Sequence, residues 1–229
     1  MNRRSVLVLF SVVVAFFGGS SIASAAPPSL DFGSLGGIIS PLQHGCSTDL
    51  YKAGDWRMGA KILATAAPVG PQVAGYDRLG GSKDADTFLE TWWNPNEKPE
   101  TWKWPAQDGF KIVNGHAVKR ISTLKVGTRI DRYGGETGNF FAPEGASYTS
   151  RALPPANLSN VESCNYHIYE VIKPMKVYRG PIAPWFGQRG GATQFQASPV
   201  LIDPASADCG TKLNVEWLSC AKYLKAVYP

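Results

Sequence analysis

Five short runs limit what this chain can fold into. GFKIVNG, TLKVGTRIDRYGG, YHIYEVI, MKVYRG and TQFQA alternate apolar with polar residues or are rich in β-formers, with Gly, Pro or Asn between them. Such alternation points one face of a strand at a core and the other at solvent. Short breaks between the runs favour antiparallel neighbours. DADTFLETWWN reads differently. It opens on an acidic turn and places Phe88, Leu89 and Trp92 on one helical face, which predicts a helix. A second, short helix is expected around Asp55–Ala66. NVEWLSCAKYLKAVYP, with Trp217, Ala221, Leu224 and Tyr228 at helical spacing, is expected to form a terminal helix. The fold class that follows is α+β, with an antiparallel-rich β core and flanking helices. Residues 26–45 are rich in Gly, Pro and Ser, and 47–83 continue into a Pro/Gly-rich connection. Residues 26–83 are therefore read as an N-terminal accessory segment ahead of a domain spanning 84–229.

The chain begins MNRRSVLVLFSVVVAFFGGSSIASAAPPSL. Arg3 and Arg4 precede a short apolar run, and Ala23-Ser24-Ala25 has the small-x-small pattern of a leader cleaved after Ala25. The run falls short of the ~20 residues needed to cross a bilayer, so a signal peptide over residues 1–25 and export to the outside or surface of the cell are expected. Losing Arg3 and Arg4 lowers the formal charge from +5 to +3. With no block of Lys or Arg, this is not the footprint of a nucleic-acid binder. A composition of 44% hydrophobic and 18% charged residues fits a folded globular chain. In an exported chain, Cys46, Cys164, Cys209 and Cys220 are expected to form two disulfides. The spacing leaves all three connectivities open. No Cys-x-x-Cys or His-x-His pattern favours a metal. Asp203, Asp208 and Glu216 are the acids to consider for calcium, although they lack loop spacing. Asn157-Leu158-Ser159 is an N-glycosylation acceptor triplet beside Pro154-Pro155, where exposure is expected.

No Gly-x-Ser-x-Gly elbow, phosphate-binding loop or dinucleotide-fold glycine motif is present. His44, His116 and His167 lack zincin spacing. The chain instead sets polar residues in glycine-rich turns. IDRYGGETGNFFAPEG carries Arg132 at a strand end and then Phe140-Phe141. SRALPP carries Arg151 ahead of a rigid turn, and IAPWFGQRGGATQFQ ends with Gln194 on a strand. Strand alternation sets Arg129 and Asp131 on the face opposite Arg132. Each residue has an ordinary alternative: a surface ion pair for Arg132, a solvated turn for Arg151, core packing for Phe140, Phe141 and His167. Gly190-Gly191 does not open a helix and so lacks the geometry of a phosphate loop. It reads as a close turn that aims Gln194.

Taken together, these residues resemble the tuberculosis necrotizing toxin family of NAD glycohydrolases, which has secreted fungal surface relatives. The likeness covers about residues 84–229. It rests on Trp104-Pro105…Gly109-Phe110, the turn Asp131–Gly134, Arg151–Pro155, Tyr166–Val171 and, most specifically, APWFGQRGGATQF at Ala183–Phe195. The resemblance implies a compact fold related to ADP-ribosyltransferases. It also implies hydrolysis of NAD, and of NADP, to nicotinamide and ADP-ribose or its phosphate, with no cofactor. By position it makes Gln194, Arg132 and Arg151 the catalytic set, with Arg129 the substitute arginine. Phe140 or Phe141 becomes the site aromatic, with His167 and Phe186 as further substrate-binding residues. A mono-ADP-ribosyltransferase or an inactive binding protein of the same fold are the competing classes; the absence of Glu-x-Glu weighs against the first. Toxin relatives commonly have an immunity partner, though none is implied here. The aromatic, Gly/Pro-rich segment 26–83 prompts the expectation of a two-fold dimer.

Overall fold

The structure is a computed structural model, and it describes residues 43–160 and 162–229. The leader, its cleavage site and the start of the accessory segment lie outside the described residues. At the centre is a seven-stranded sheet: β3 (Arg120–Leu124), β4 (Arg129–Tyr133), β5 (Phe140–Pro143), β6 (Tyr166–Val171), β7 (Met175–Pro181), β8 (Thr193–Gln196) and β9 (Leu224–Tyr228), with two earlier strands, β1 (Leu50–Lys52) and β2 (Asp55–Ala60), forming a separate hairpin. Its spatial order is β9-β6-β4-β5-β8-β7-β3, and every neighbouring pair is antiparallel. The α+β, antiparallel-rich class is borne out, and four of the five alternating runs supply strands of this sheet.

Helix α1 (Ala85–Trp92) forms where expected. Asp84 caps it, accepting from the Thr87 amide and hydroxyl at 2.8 Å each, while Phe88 and Leu89 face inward. The helix expected around Asp55–Ala66 is instead the hairpin of β1 and β2. Glycines explain the difference. Gly54 turns the chain at φ +72°, and Gly59 adopts φ +68° where a helix needs a negative value. The terminal helix is likewise shorter than expected. Helix α2 (Val215–Cys220) is capped by Asn214 onto the Trp217 amide at 2.8 Å, but Lys222 takes a left-handed φ of +59° and stops it. The chain then runs out as β9 along β6, pairing Lys225 with Glu170 and Leu224 with Val171. Leu224, Ala226 and Tyr228 satisfy a period of two as well as Leu224 and Tyr228 satisfy a helical step.

Two cores flank the sheet. Ile130, Phe141, Tyr169, Val177 and Phe195 pack with Trp217 and Leu218 of α2. Tyr133, Tyr148, Tyr166 and Ile168 pack with Ala60, Val69 and Val73 of the N-terminal segment. A third, aromatic cluster gathers Phe88, Trp93, Trp102 and Phe186. The cysteines pair as Cys46–Cys164 and Cys209–Cys220. The first joins the N-terminal segment to the start of β6. Gly59 lets β2 press against the Pro155–Asn157 turn, because a Cβ there would meet the Pro155 carbonyl oxygen at 2.3 Å. The Ala60 amide bonds the Leu158 carbonyl at 2.8 Å. Among the described residues no helix is long and apolar enough to cross a membrane.

Candidate active site

A cleft of about 480 Å³ opens at the strand ends of β4, β5 and β8, within the range of pockets that take small ligands. Its floor follows from register. Phe195 opposes Phe141 and Asp131 opposes Ala142, so Gln194, Ala142 and Asp131 lie in one row across β8, β5 and β4. At one strand spacing per step, the row spans about 10 Å. Ala142, the smallest of the three, leaves the middle open. Trp104, Pro105, Trp185, Leu153 and Asn157 also line the cleft.

Gln194 is 9% exposed, and its Nε2 donates to the Asp108 carbonyl at 2.9 Å. The amide plane is thereby fixed, and its Oε1 accepts no hydrogen bond from the described residues. Gly190 and Gly191, at φ +65° and +90°, make the turn that delivers it. The loop is also stitched to the arginine turn: the Ala192 amide donates to the Ser150 carbonyl at 3.0 Å, and Gly190 donates to Thr149 at 3.3 Å. Arg151 and Gln194 are therefore held by one backbone ladder.

The three arginines have different surroundings. Arg129 is exposed and paired with Glu144, and it does not line the cleft. Arg151 is buried at 4% exposure. Its Nη1 lies 2.6 Å from Oδ1 of the fully enclosed Asp131. Its Nη2 donates to Asp131 and to Gln72, at 2.7 and 3.2 Å, and its Nε donates to the Ala146 carbonyl. Asp131 also accepts from the Tyr166 hydroxyl at 2.6 Å and the Gly145 amide at 2.8 Å. Arg132 alone has no carboxylate within ion-pair distance among the described residues. Its Nε and Nη1 donate to the carbonyls of Gly134 and Phe140 at 3.2 and 3.3 Å. A Cβ on Gly138 would stand 2.3 Å from its Nη2, so the glycine turn is what leaves room for the guanidinium. Burial lowers the Arg132 pKa from its ordinary value, and Tyr169 and Glu136 counter this only in part.

The remaining expectations divide. Phe140 stands at the cleft wall with 36% of its surface exposed, whereas Phe141 packs edge-on against Tyr169 in the core and adds only part of the lining. His167 does not line the cleft: it pairs with Arg132 on the sheet face opposite the Gln194–Asp131 row, ring alongside Tyr169, with Nδ1 3.5 Å from the Pro229 carbonyl. Phe186 is also elsewhere, 1% exposed and ringed by Trp92, Trp102 and Trp104. Its neighbour Trp185 reaches the cleft instead. Asn157 is a cleft residue, half-buried, with its amide toward the Tyr133 carbonyl at 3.4 Å. Asp203, Asp208 and Glu216 do not converge, and no group of three or more metal-ligating side chains occurs among the described residues. The Asp203 carboxylate instead caps the Ala205 amide. Reading the sequence missed Asp131, Asp108 and Gln72 as parts of the site. Asp131 stood inside the quoted Asp131–Gly134 turn and Asp108 inside the tryptophan-to-phenylalanine element, so the motifs carried a signal. Gln72 carried none.

Residues 123–227 match the family described as Tuberculosis necrotizing toxin. It is 39% identical over 151 residues to a conidial surface nicotinamide adenine dinucleotide glycohydrolase of Aspergillus fumigatus, and the aligned region is 64% of each chain. The match thus spans somewhat less than two thirds of that relative's length. The chain also resembles the solved structure of tuberculosis necrotizing toxin complexed with its immunity factor, with 22% identity and a TM-score of 0.49 over 68% of this chain and 77% of that one.

Proposed function

We propose that this protein is an exported NAD glycohydrolase, cleaving the nicotinamide–ribose bond of NAD, and of NADP, to release nicotinamide and ADP-ribose or its phosphate. The observation that carries the reading is Arg132, a guanidinium partly withdrawn from water at a cleft wall and lacking a carboxylate partner. Such a cation is expensive unless an anion completes it, and a diphosphate suits it. The likeness to a surface glycohydrolase supports the same assignment.

The chemistry asks little of acids and bases. Nicotinamide is cationic at its ring nitrogen, so the C1′–N bond breaks with the electron pair leaving on a neutral base. Water then forms the new C1′–O bond and gives its proton to solvent. The transition state is oxocarbenium-like, and positioning dominates its stabilisation. Gln194, pinned through Nε2, presents Oε1 to the ribose or the attacking water. Phe140 stacks on the nicotinamide ring, and Arg132 holds the diphosphate. Arg151 keeps the neighbouring wall in shape through Asp131, leaving a single guanidinium N–H for substrate. The bond cleavage as written calls for no metal or cofactor. The same proposal includes the two-fold dimer through residues 26–83, which light scattering on the mature protein checks.

Incubation with etheno-NAD tests the activity. Fluorescence should rise with enzyme, and Gln194→Ala should lower kcat by roughly a hundredfold or more while the circular dichroism stays unchanged. A wild-type protein that gives no turnover at concentrations comparable to substrate would sink the proposal.

A further inference from the structure

The DRYG turn contains a notch between two side chains. A Cβ built on Gly134 would stand 3.3 Å from Nη2 of Arg132 and 3.5 Å from Nδ2 of Asn157. Glycine is there for a backbone reason as well, since φ is +109°. The notch is therefore the gap over Gly134 that these two donors flank. The Arg132 Nη2 donates to nothing among the described residues, its Nε and Nη1 having taken the Gly134 and Phe140 carbonyls. The Asn157 amide makes one long bond, 3.4 Å to the Tyr133 carbonyl, which leaves its second N–H for the notch. Both side chains line the cleft. Asn157 is also held in place from behind, by β2 against its own turn through Gly59 and the Ala60 amide.

We propose that the notch over Gly134 is a subsite for an anionic oxygen, with Asn157 as a substrate-binding residue that works alongside Arg132. The inference rests on the glycohydrolase reading and names the ligand part it serves, a diphosphate oxygen of NAD. It also reverses the expectation for the triplet Asn157-Leu158-Ser159. A glycan on Nδ2 would occupy the space that the substrate needs, so this acceptor triplet goes unused in active protein.

The probe is ADP-ribose, which has the diphosphate and resists the reaction, titrated by calorimetry into protein from a glycosylating host. Asn157→Ala should weaken ADP-ribose binding by roughly tenfold to a hundredfold, the loss expected for a hydrogen bond to a charged group. Nicotinamide binding should not change. Asn157→Asp keeps the shape, replaces a donor with a negative charge, and should weaken ADP-ribose at least as much. This second variant serves if the alanine variant folds poorly. Ser159→Ala removes the acceptor triplet but keeps Asn157, and should alter neither mass nor binding. ADP-ribose affinity unchanged in both Asn157 variants, or a glycan on Asn157 in turnover-competent protein, overturns the notch. Failure of wild-type protein to bind ADP-ribose at all overturns the glycohydrolase reading beneath it.

Discussion

Asp131 and Arg151 share a buried ion pair that the cleft is built around. Burying two charges is costly, and such a pair is weak evidence of stabilisation by itself; removing one partner is worse, because the other is left uncompensated. Asp131→Ala is therefore expected to lower stability by about 3–5 kcal/mol in urea titrations. The double variant Asp131→Leu with Arg151→Met should regain much of that loss without regaining turnover. Recovery of both would mean the pair is there only for packing. At this scale the sequence showed which residue types mattered but not which of them were already engaged. Arg129, Arg132 and Arg151 look alike in the chain. Only register and chain return show that Glu144 takes the first, Asp131 the third, and no carboxylate among the described residues the second.

Elements were easiest to read where one period had no rival. Helix α1 had an acidic cap and a single apolar face, and β6 was an alternating run with no helical competitor. The hairpin of β1 and β2 and strand β9 lay where apolar residues satisfied two periods at once. There the backbone decided: Gly54 and Gly59 turn left-handed in the hairpin, and Lys222 does so before β9. Gly59 also has a steric reason to be glycine, with the Pro155 carbonyl 2.3 Å from where a Cβ would stand. Gly59→Val should cost at least about 2 kcal/mol, combining left-handed strain with overpacking. It should also displace the Pro155–Asn157 turn and so raise KM more than it lowers kcat. An unchanged KM in a destabilised but folded variant would separate β2 from the cleft. That coupling could not be read in advance, because a close approach between residues 59 and 155 leaves no periodic trace.

Across the whole molecule, the N-terminal segment and the sheet meet over a layer of tyrosines. Burial raises the pKa of Tyr76, Tyr133, Tyr148 and Tyr166 in that layer, and of Tyr169 in the core on the other face, above the ordinary value of 10.0. For an acid whose folded pKa is raised, the unfolded chain ionises first. The contribution to stability is therefore intact below pH 10 and is lost as pH climbs from there toward the folded values. Each such tyrosine withdraws about 1.4 kcal/mol per pH unit in that window. Thermal melts from pH 8 to 11 should hold steady and then fall steeply, with tyrosinate absorbance appearing together with loss of the sheet signal. Gradual tyrosinate absorbance in protein that remains folded would contradict the burial. The bridge from Cys46 to Cys164 adds a consequence of its own. It closes a loop that contains Arg132, Phe140, Arg151 and Asn157, while Gln194 lies beyond it. Outside the cell, where proteases are common, a single cut within that loop yields two fragments that cannot part. Peptide-bond cleavage and dispersal become separate events, and a clipped molecule keeps both walls of its cleft on one covalent body.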